Sequence, residues 1–241
     1  MIVVIGLPAY AGSAGGEESV GGLAVDVAAA AAVLGSSVEL VGKVGDDGAG
    51  DAVVLALGRL GVGHAALLRD PARSTPVLSA VAVATEPEAA DGAADALAGA
   101  ALTADALAGD RADDGPRVEV ELLPADPAAR PGLEAGDISL ALRYLAEARV
   151  VVLAEPLPEV AVAAVVEGAT FAGARLVVLL PPGAASPALP PEVTLLEAPA
   201  VDDGSFGRVV GAFAAGLDAG AEPAAAFAEA VRASGWQPVA D

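Results

Sequence analysis

The sequence predicts an α/β domain built on a mainly parallel sheet, and three observations support this. First, Ile2–Ile5 is a continuous β-branched run, as expected of a strand covered on both faces. Second, strand and helix patterns alternate with short connections, which implies parallel pairing and right-handed crossovers. Third, helix patterns end at glycines such as Gly35, which suit the left-handed position after a helix.

In the first part of the chain, periodicity and capping residues define each element. Asp46 and Asp47 precede a helix that runs to about Leu60, and either carboxylate can cap its start. The remaining predictions are a helix over Leu23–Leu34 and strands over Val38–Val44, Ala65–Leu68 and Val77–Val83.

In the second part, periodicity fades between residues 86 and 136, which we interpret as a low-complexity insertion or lid region in a single domain over 1–241. Within it, Asp95–Leu107 is compatible with a helix and Arg117–Leu123 with a strand. Alternation then resumes with helices over Ser139–Ala148 and Val160–Ala172, strands over Val150–Ala154 and Arg175–Leu180, and two final helices over Arg208–Leu217 and Pro223–Ser234.

Composition excludes several function classes. The net charge of −21 opposes binding to nucleic acid or to a membrane surface, because both need basic residues. It would also repel ATP unless Mg²⁺ and helix N-termini shield the phosphates. The absence of cysteine excludes disulfides and thiolate chemistry. No basic leader precedes the first strand and no apolar run reaches membrane-spanning length, so we expect a cytoplasmic protein.

The stretch Gly21–Val62 places a glycine pair before an apolar helix, then a strand, an Asp-Asp-Gly turn and a second helix. This resembles the N-terminal signature of the ribokinase/PfkB carbohydrate-kinase family, which transfers the ATP γ-phosphate to a sugar or nucleoside hydroxyl. The resemblance implies a ribokinase-like three-layer α/β/α domain with a small β lid. It also implies a homodimer formed through lid segments such as Pro76–Val83.

The resemblance assigns the substrate side to Gly21, Gly22 and Asp26. In the family, the glycine turn faces the sugar and an asparagine in the following helix bonds its hydroxyls. Here Asp26 takes the asparagine position, and an ionised carboxylate accepts hydrogen bonds without donating any. The family's acid after the first strand is also missing, since that place falls near Ala11. A tight turn followed by a first-turn acid explains the same residues structurally.

A second resemblance covers residues 201–213, V-D-D-G-S-F-G-R-V-V-G-A-F, against the family pattern D-T-T-G-A-G-D-x-F-x-G-A-F. It implies that Asp203, Gly204, Ser205 and Gly207 bind the nucleotide or an anion. The family's catalytic aspartate falls on Gly207, and Phe206 replaces the second glycine of the anion hole. No catalytic residue is therefore assigned.

The nucleotide-binding half is predicted to be truncated, because Pro182 and Asp202 are only twenty positions apart and the family's nucleotide motifs do not occur between them. The Asp46-Asp47-Gly48 turn is explained by helix capping, and no metal site is predicted. Lys43 lies outside any phosphate-loop motif, and His64 has no ligand cluster beside it.

Three functional hypotheses follow. The first is a degenerate kinase homologue that binds a small polyol, a nucleoside or a protein partner without phosphoryl transfer. The second is an active carbohydrate or nucleoside kinase that uses Mg-ATP and a displaced acid such as Asp203. The third is a non-catalytic α/β interaction module.

Overall fold

The computed structural model describes residues 1–14, 17–83, 117–185, 187, 189–199 and 204–234. Its main feature is a sheet of six strands in the order β10-β9-β8-β1-β4-β5, in which each neighbouring pair runs parallel. The strands are β1 (Ile2–Ile5), β4 (Val38–Gly45), β5 (Leu67–Asp70), β8 (Val150–Leu153), β9 (Arg175–Leu180) and β10 (Thr194–Glu197).

The sheet lies between two helical layers. The described residues contain six α-helices: α1 (Leu23–Val33), α2 (Gly48–Arg59), α3 (Ala135–Tyr144), α4 (Glu159–Ala172), α5 (Ser205–Asp218) and α6 (Pro223–Ser234). Alternate side chains of β1 enter different cores, since Ile2 and Val4 pack with α1, α2, α5 and α6, while Val3 and Ile5 pack with α3 and α4. This two-sided burial explains the continuous apolar strands.

A smaller sheet forms the predicted β lid. It contains β2 (Ala9–Ala14), β3 (Glu17–Gly21), β6 (Val77–Val83) and β7 (Arg117–Leu123), in the order β3-β2-β6-β7. β6 and β7 pair antiparallel along their whole length, with Leu78 opposite Leu122. β2 leaves the carboxyl end of β1, and β3 leads directly into α1. The lid is therefore connected in sequence to the centre of the main sheet.

The predicted three-layer architecture and the parallel neighbours β1, β4, β8 and β9 are confirmed. Several boundaries differ. The strand predicted at Ala65–Leu68 begins two residues later, and the helix predicted at Ser139–Ala148 begins at Ala135, because Glu134 and Asp137 form a capping box there. β2, β3 and β10 were missed. The helix suggested at Asp95–Leu107 lies outside the described residues.

Candidate functional site

The carboxyl ends of β1 and β8 meet the start of α1 at one crevice, where open α/β sheets bind ligands. Gly6 follows β1, and a Cβ there would lie 2.7 Å from the Cβ of Ala24 in α1. Gly22 caps α1 with a φ of 106°, a conformation that strains any other residue, and its Cβ position is 3.4 Å from the carbonyl oxygen of Leu7. These two glycines therefore allow β1, the segment after it and the start of α1 to pack closely at this edge of the sheet.

Gly21 ends lid strand β3, and a Cβ there would lie only 2.7 Å from Cδ1 of Leu78 in β6. The predicted glycine pair therefore has two separate roles. Gly21 allows the lid strand to pack closely, whereas Gly22 supplies the backbone turn into α1.

Glu155 lies at the same crevice, two residues after β8. Its carboxylate accepts a hydrogen bond from the backbone N–H of Leu7, while its Oε1 is enclosed and has no hydrogen-bond partner within the described part of the chain. Burial raises the pKa of this carboxyl group to about 7, and the Leu7 bond offsets only part of that effect. The crevice thus contains an acid that titrates near neutral pH.

Sequence reasoning missed Glu155. One signal was present, because an acid after the buried strand Val150–Leu153 and directly before Pro156 must lie at the carboxyl edge of the sheet. Its enclosure by Leu7 and Gly6 depends on how β1 and β8 pair, and no local sequence pattern reports that.

The titration of Glu155 predicts a pH-dependent stability. Its pKa in the folded protein is raised from the ordinary value of 4.5 to about 7. Glu155 therefore lowers the free energy of unfolding progressively as the pH rises between these two values. Glu155→Gln should therefore be more stable than the parent protein at pH 8 by on the order of 2 kcal/mol, with a smaller gain at pH 5. Urea unfolding at both pH values measures this, and Glu159→Gln, at an exposed position, is the control. Equal gains at both pH values would contradict a raised pKa.

α1 and α5 pack at backbone distance along a seam of glycines, which we call the glycine seam (Gly207 and Gly211 of α5 against α1). A Cβ at Gly207 would lie 2.6 Å from the Cβ of Asp26. A Cβ at Gly211 would lie 2.6 Å from both the Cβ of Ala30 and the carbonyl oxygen of Val27. Gly207, at the position of the family's catalytic aspartate, is therefore buried against α1 and leaves no space for a side chain.

The remaining predicted anion-binding residues surround the start of α5. Gly204 caps this helix in the left-handed conformation, with a φ of 78°, and Ser205 is its first residue. The Phe206 side chain is buried in the core between the helices and the sheet. Asp203 lies outside the described residues.

A groove of about 540 Å³ lies between α1, α5 and the end of α6. Asp26 and Gly204 line it, with Arg208 beside them, so the structure brings together two of the predicted site residues here. Gly21 and Gly22 do not line this groove. The predicted substrate and anion residues are thus divided between the crevice and the groove, and Asp26 lies at the seam between α1 and α5.

Hydrogen bonds to Asp47, in the Asp-Asp-Gly turn, connect the start of α2 to the residues that precede lid strand β6. Asp47 caps α2 by accepting from the Gly50 N–H, and it also accepts hydrogen bonds from the N–H and the hydroxyl of Thr75. Thr75, which lies two residues before β6, is buried, and its hydroxyl in turn accepts a hydrogen bond from the Gly45 N–H. The capping role is confirmed for Asp47, while Asp46 is exposed.

Lys43 and His64 both make contacts that have a structural role. Lys43 forms an ion pair with Asp137 at the start of α3, and His64 lies within 3.4 Å of the Val62 carbonyl oxygen. Within the described ranges, no three His, Cys, Asp or Glu side chains gather closely enough to hold a metal ion. None of the described helices is long and apolar enough to cross a bilayer.

Sequence comparison identifies no relative, since no protein-family profile matches and no curated protein is significantly similar. Solved structures do match. Ribokinase of Arabidopsis thaliana, solved with ribose and ATP, is 15% identical, with a TM-score of 0.61 over 97% of this chain and 90% of that one. A putative ribokinase II from E. coli is 13% identical, with a TM-score of 0.60 over 95% and 89%.

Other matched kinases are longer. The chain spans 55% of the length of an uncharacterized sugar kinase from Pyrococcus horikoshii, to which it is 16% identical with a TM-score of 0.48. The agreement with the two ribokinase structures extends over nearly the whole chain and includes the parallel sheet on which the crevice is built. The chain has the fold of the ribokinase/PfkB sugar kinases.

Proposed function

We propose that this chain is a ribokinase-like protein that binds a small polyol, sugar or nucleoside at the crevice and does not transfer phosphate efficiently. The observation that carries the proposal is the packing of Gly207 against Asp26, because it removes both the base and the space for one. A positioned general base is typically worth ~10²–10⁴-fold in rate.

The crevice supports binding of a small hydroxylated ligand. Glu155 provides a carboxyl group that donates a hydrogen bond when protonated and accepts when ionised, and its Oε1 has no partner among the described residues. The Arabidopsis ribokinase that shares this fold was solved with ribose and ATP. We propose that Gly22 and Glu155 contact the hydroxylated ligand, and that Gly204 and Ser205 contact any bound anion.

Thermal unfolding with ligand panels tests this proposal. A sugar or nucleoside at ~100 times its dissociation constant should raise the melting temperature by roughly 5–10 °C. Glu155→Gln should reduce that shift, whereas the exposed control Glu159→Gln should preserve it. Stabilisation by no member of a broad panel would favour the third hypothesis, an interaction module.

An active kinase is the second candidate, and Glu155 favours it. A carboxyl group with a pKa of about 7 is suited to accept a proton at neutral pH. Asp203 is the other acid to test. Under this alternative, Mg-ATP and a sugar both stabilise the protein, and phosphoryl transfer is rapid in the parent protein. Glu155→Gln or Asp203→Asn would abolish that transfer.

Self-association through the lid is a separate prediction. β6 pairs with β7 along its whole length, but β2 pairs with it only at Val77, opposite Tyr10, so β2 covers just the beginning of the other edge of Pro76–Val83. The outer strand β7 offers a second edge, and it ends at the half-exposed Leu123. Leu123→Glu should weaken a dimer in sedimentation velocity, while Leu60→Glu, at an equally exposed position just after α2, should not. A parent protein that stays monomeric at high concentration would refute the prediction.

The remaining parts of the proposal concern domain organisation, cellular location and partners. We propose that residues 1–241 act as one domain and that the protein is cytoplasmic. The net charge of −21 supports a partner that is neither nucleic acid nor membrane, because such surfaces repel an acidic protein.

A further inference from the structure

The groove between α1, α5 and α6 has an apolar interior beyond its polar end at Asp26 and Arg208. Its floor consists of small side chains, Ala29 and Ala30 from α1 and Ala212 from α5, and this leaves a hollow rather than a ridge. Ala233 and Ser234, the last residues of α6, line its opposite side. The groove is therefore bounded by the residues that immediately precede the C-terminal segment.

Two large apolar residues at the end of α1 are left in solvent at this groove. Val33 is 84% exposed and Leu34 is 60% exposed, although both lie beside a concave surface of about 540 Å³. Single exposed apolar residues are common, but adjacent ones that line a hollow mark a surface that another group covers.

The sequence beyond α6 offers an occupant. Residues 235–241 read G-W-Q-P-V-A-D and lie outside the described part of the chain. Trp236 is the only tryptophan in the protein and follows Ser234 by two residues. Because a chain advances at most ~3.3–3.6 Å per residue, Trp236 is within about 7 Å of a residue that already lines the groove.

We infer that the segment 235–241 docks in this groove of its own chain, with the Trp236 indole over the alanine floor and against Val33 and Leu34. A tryptophan ring is the side chain that gains most from such a hollow, since it combines a large apolar area with few rotatable bonds. The docked segment would lie beside Gly204 at the start of α5. It would thus cover the polar end of the groove.

The single tryptophan makes the test direct. Intrinsic fluorescence of the full chain should be blue-shifted relative to the urea-unfolded chain, and acrylamide should quench it at least about twofold less steeply. Val33→Lys should shift the emission to the red and raise the quenching constant. Phe171→Lys, which replaces another exposed residue in the last turn of a helix, should change neither quantity.

A second variant keeps the test decisive if Val33→Lys has an unforeseen effect. Ala212→Arg fills the floor of the groove from a partly exposed position and should expose the indole in the same way, with circular dichroism confirming that the fold persists. Equal quenching in the folded and unfolded chains overturns the inference, as does an identical response of Val33→Lys and Phe171→Lys. A blue shift that disappears on dilution overturns it in favour of docking on a second copy.

Discussion

Gly207→Asp is expected to destabilise the protein strongly and to restore no kinase activity. The new Cβ would lie 2.6 Å from the Cβ of Asp26, so α1 and α5 must separate, and a second carboxylate would be placed beside the first. Overpacking together with burial of a charge should cost roughly 3 kcal/mol or more. For a chain of this size, that lowers the melting temperature by ~6–12 °C.

The control for this variant uses the same substitution in open space. A Cβ at Gly136, in the first turn of α3, meets no atom within 4 Å. Gly136→Asp should leave stability unchanged or raise it slightly, because an acid in the first turn of a helix is favourable. A Gly207→Asp protein that folds as stably as the parent and gains phosphoryl transfer would show that the seam opens readily. The proposed lack of phosphoryl transfer in the parent protein would then be caused only by the missing carboxylate at position 207.

Asp47→Ala should produce the second large effect. The substitution removes the cap of α2 and leaves the N–H and hydroxyl of the buried Thr75 without their acceptor. Loss of these bonds should cost roughly 2–4 kcal/mol in the free energy of unfolding. Asp46→Ala, one residue earlier and exposed, should be nearly neutral. Urea denaturation at pH 7 compares the two variants.

The Asp47 effect should also depend on pH. Burial opposes ionisation of this carboxyl group, but hydrogen bonds from Thr75 and Gly50 outweigh it and hold its pKa below the ordinary value of 3.8. Its contribution to stability is thus fully present above that value and is lost as the pH falls through the lower folded pKa. The gap between the parent protein and Asp47→Ala should therefore narrow below about pH 3.8. A constant gap down to pH 2 would contradict the role of the ionised form.

Local patterns were sufficient for most of the main sheet and its helices. Strands such as Ile2–Ile5 are continuous apolar runs, and α1 ends where Gly35 adopts a φ of 85°. The missed strands are less distinctive. β2 (A-Y-A-G-S-A) contains glycine and serine, and β10 is only four residues long with alternate residues exposed. Both are strands because a neighbouring strand pairs with them, which is a tertiary effect.

The candidate site was predictable only in part. The glycine pair and the position of the missing base follow from the sequence, but the separate roles of Gly21 and Gly22 depend on Leu78 and Leu7, which are distant along the chain. The raised pKa of Glu155 also depends on tertiary packing, because burial raises it and the hydrogen bond from Leu7 offsets only part of that effect. Long-range packing, rather than local pattern, determines the chemistry of the crevice.

The glycine seam also limits how the protein can move. Helices whose backbones touch at Gly207 and Gly211 cannot slide past one another without collision, so α1 and α5 must travel as a single rigid unit. Relative motion beside α1 is therefore expected between this helix pair and the smaller sheet, whose strand β6 begins two residues after Thr75. The hydrogen bonds from Thr75 to Asp47 would resist such a movement, because they join the residues just before β6 to the start of α2.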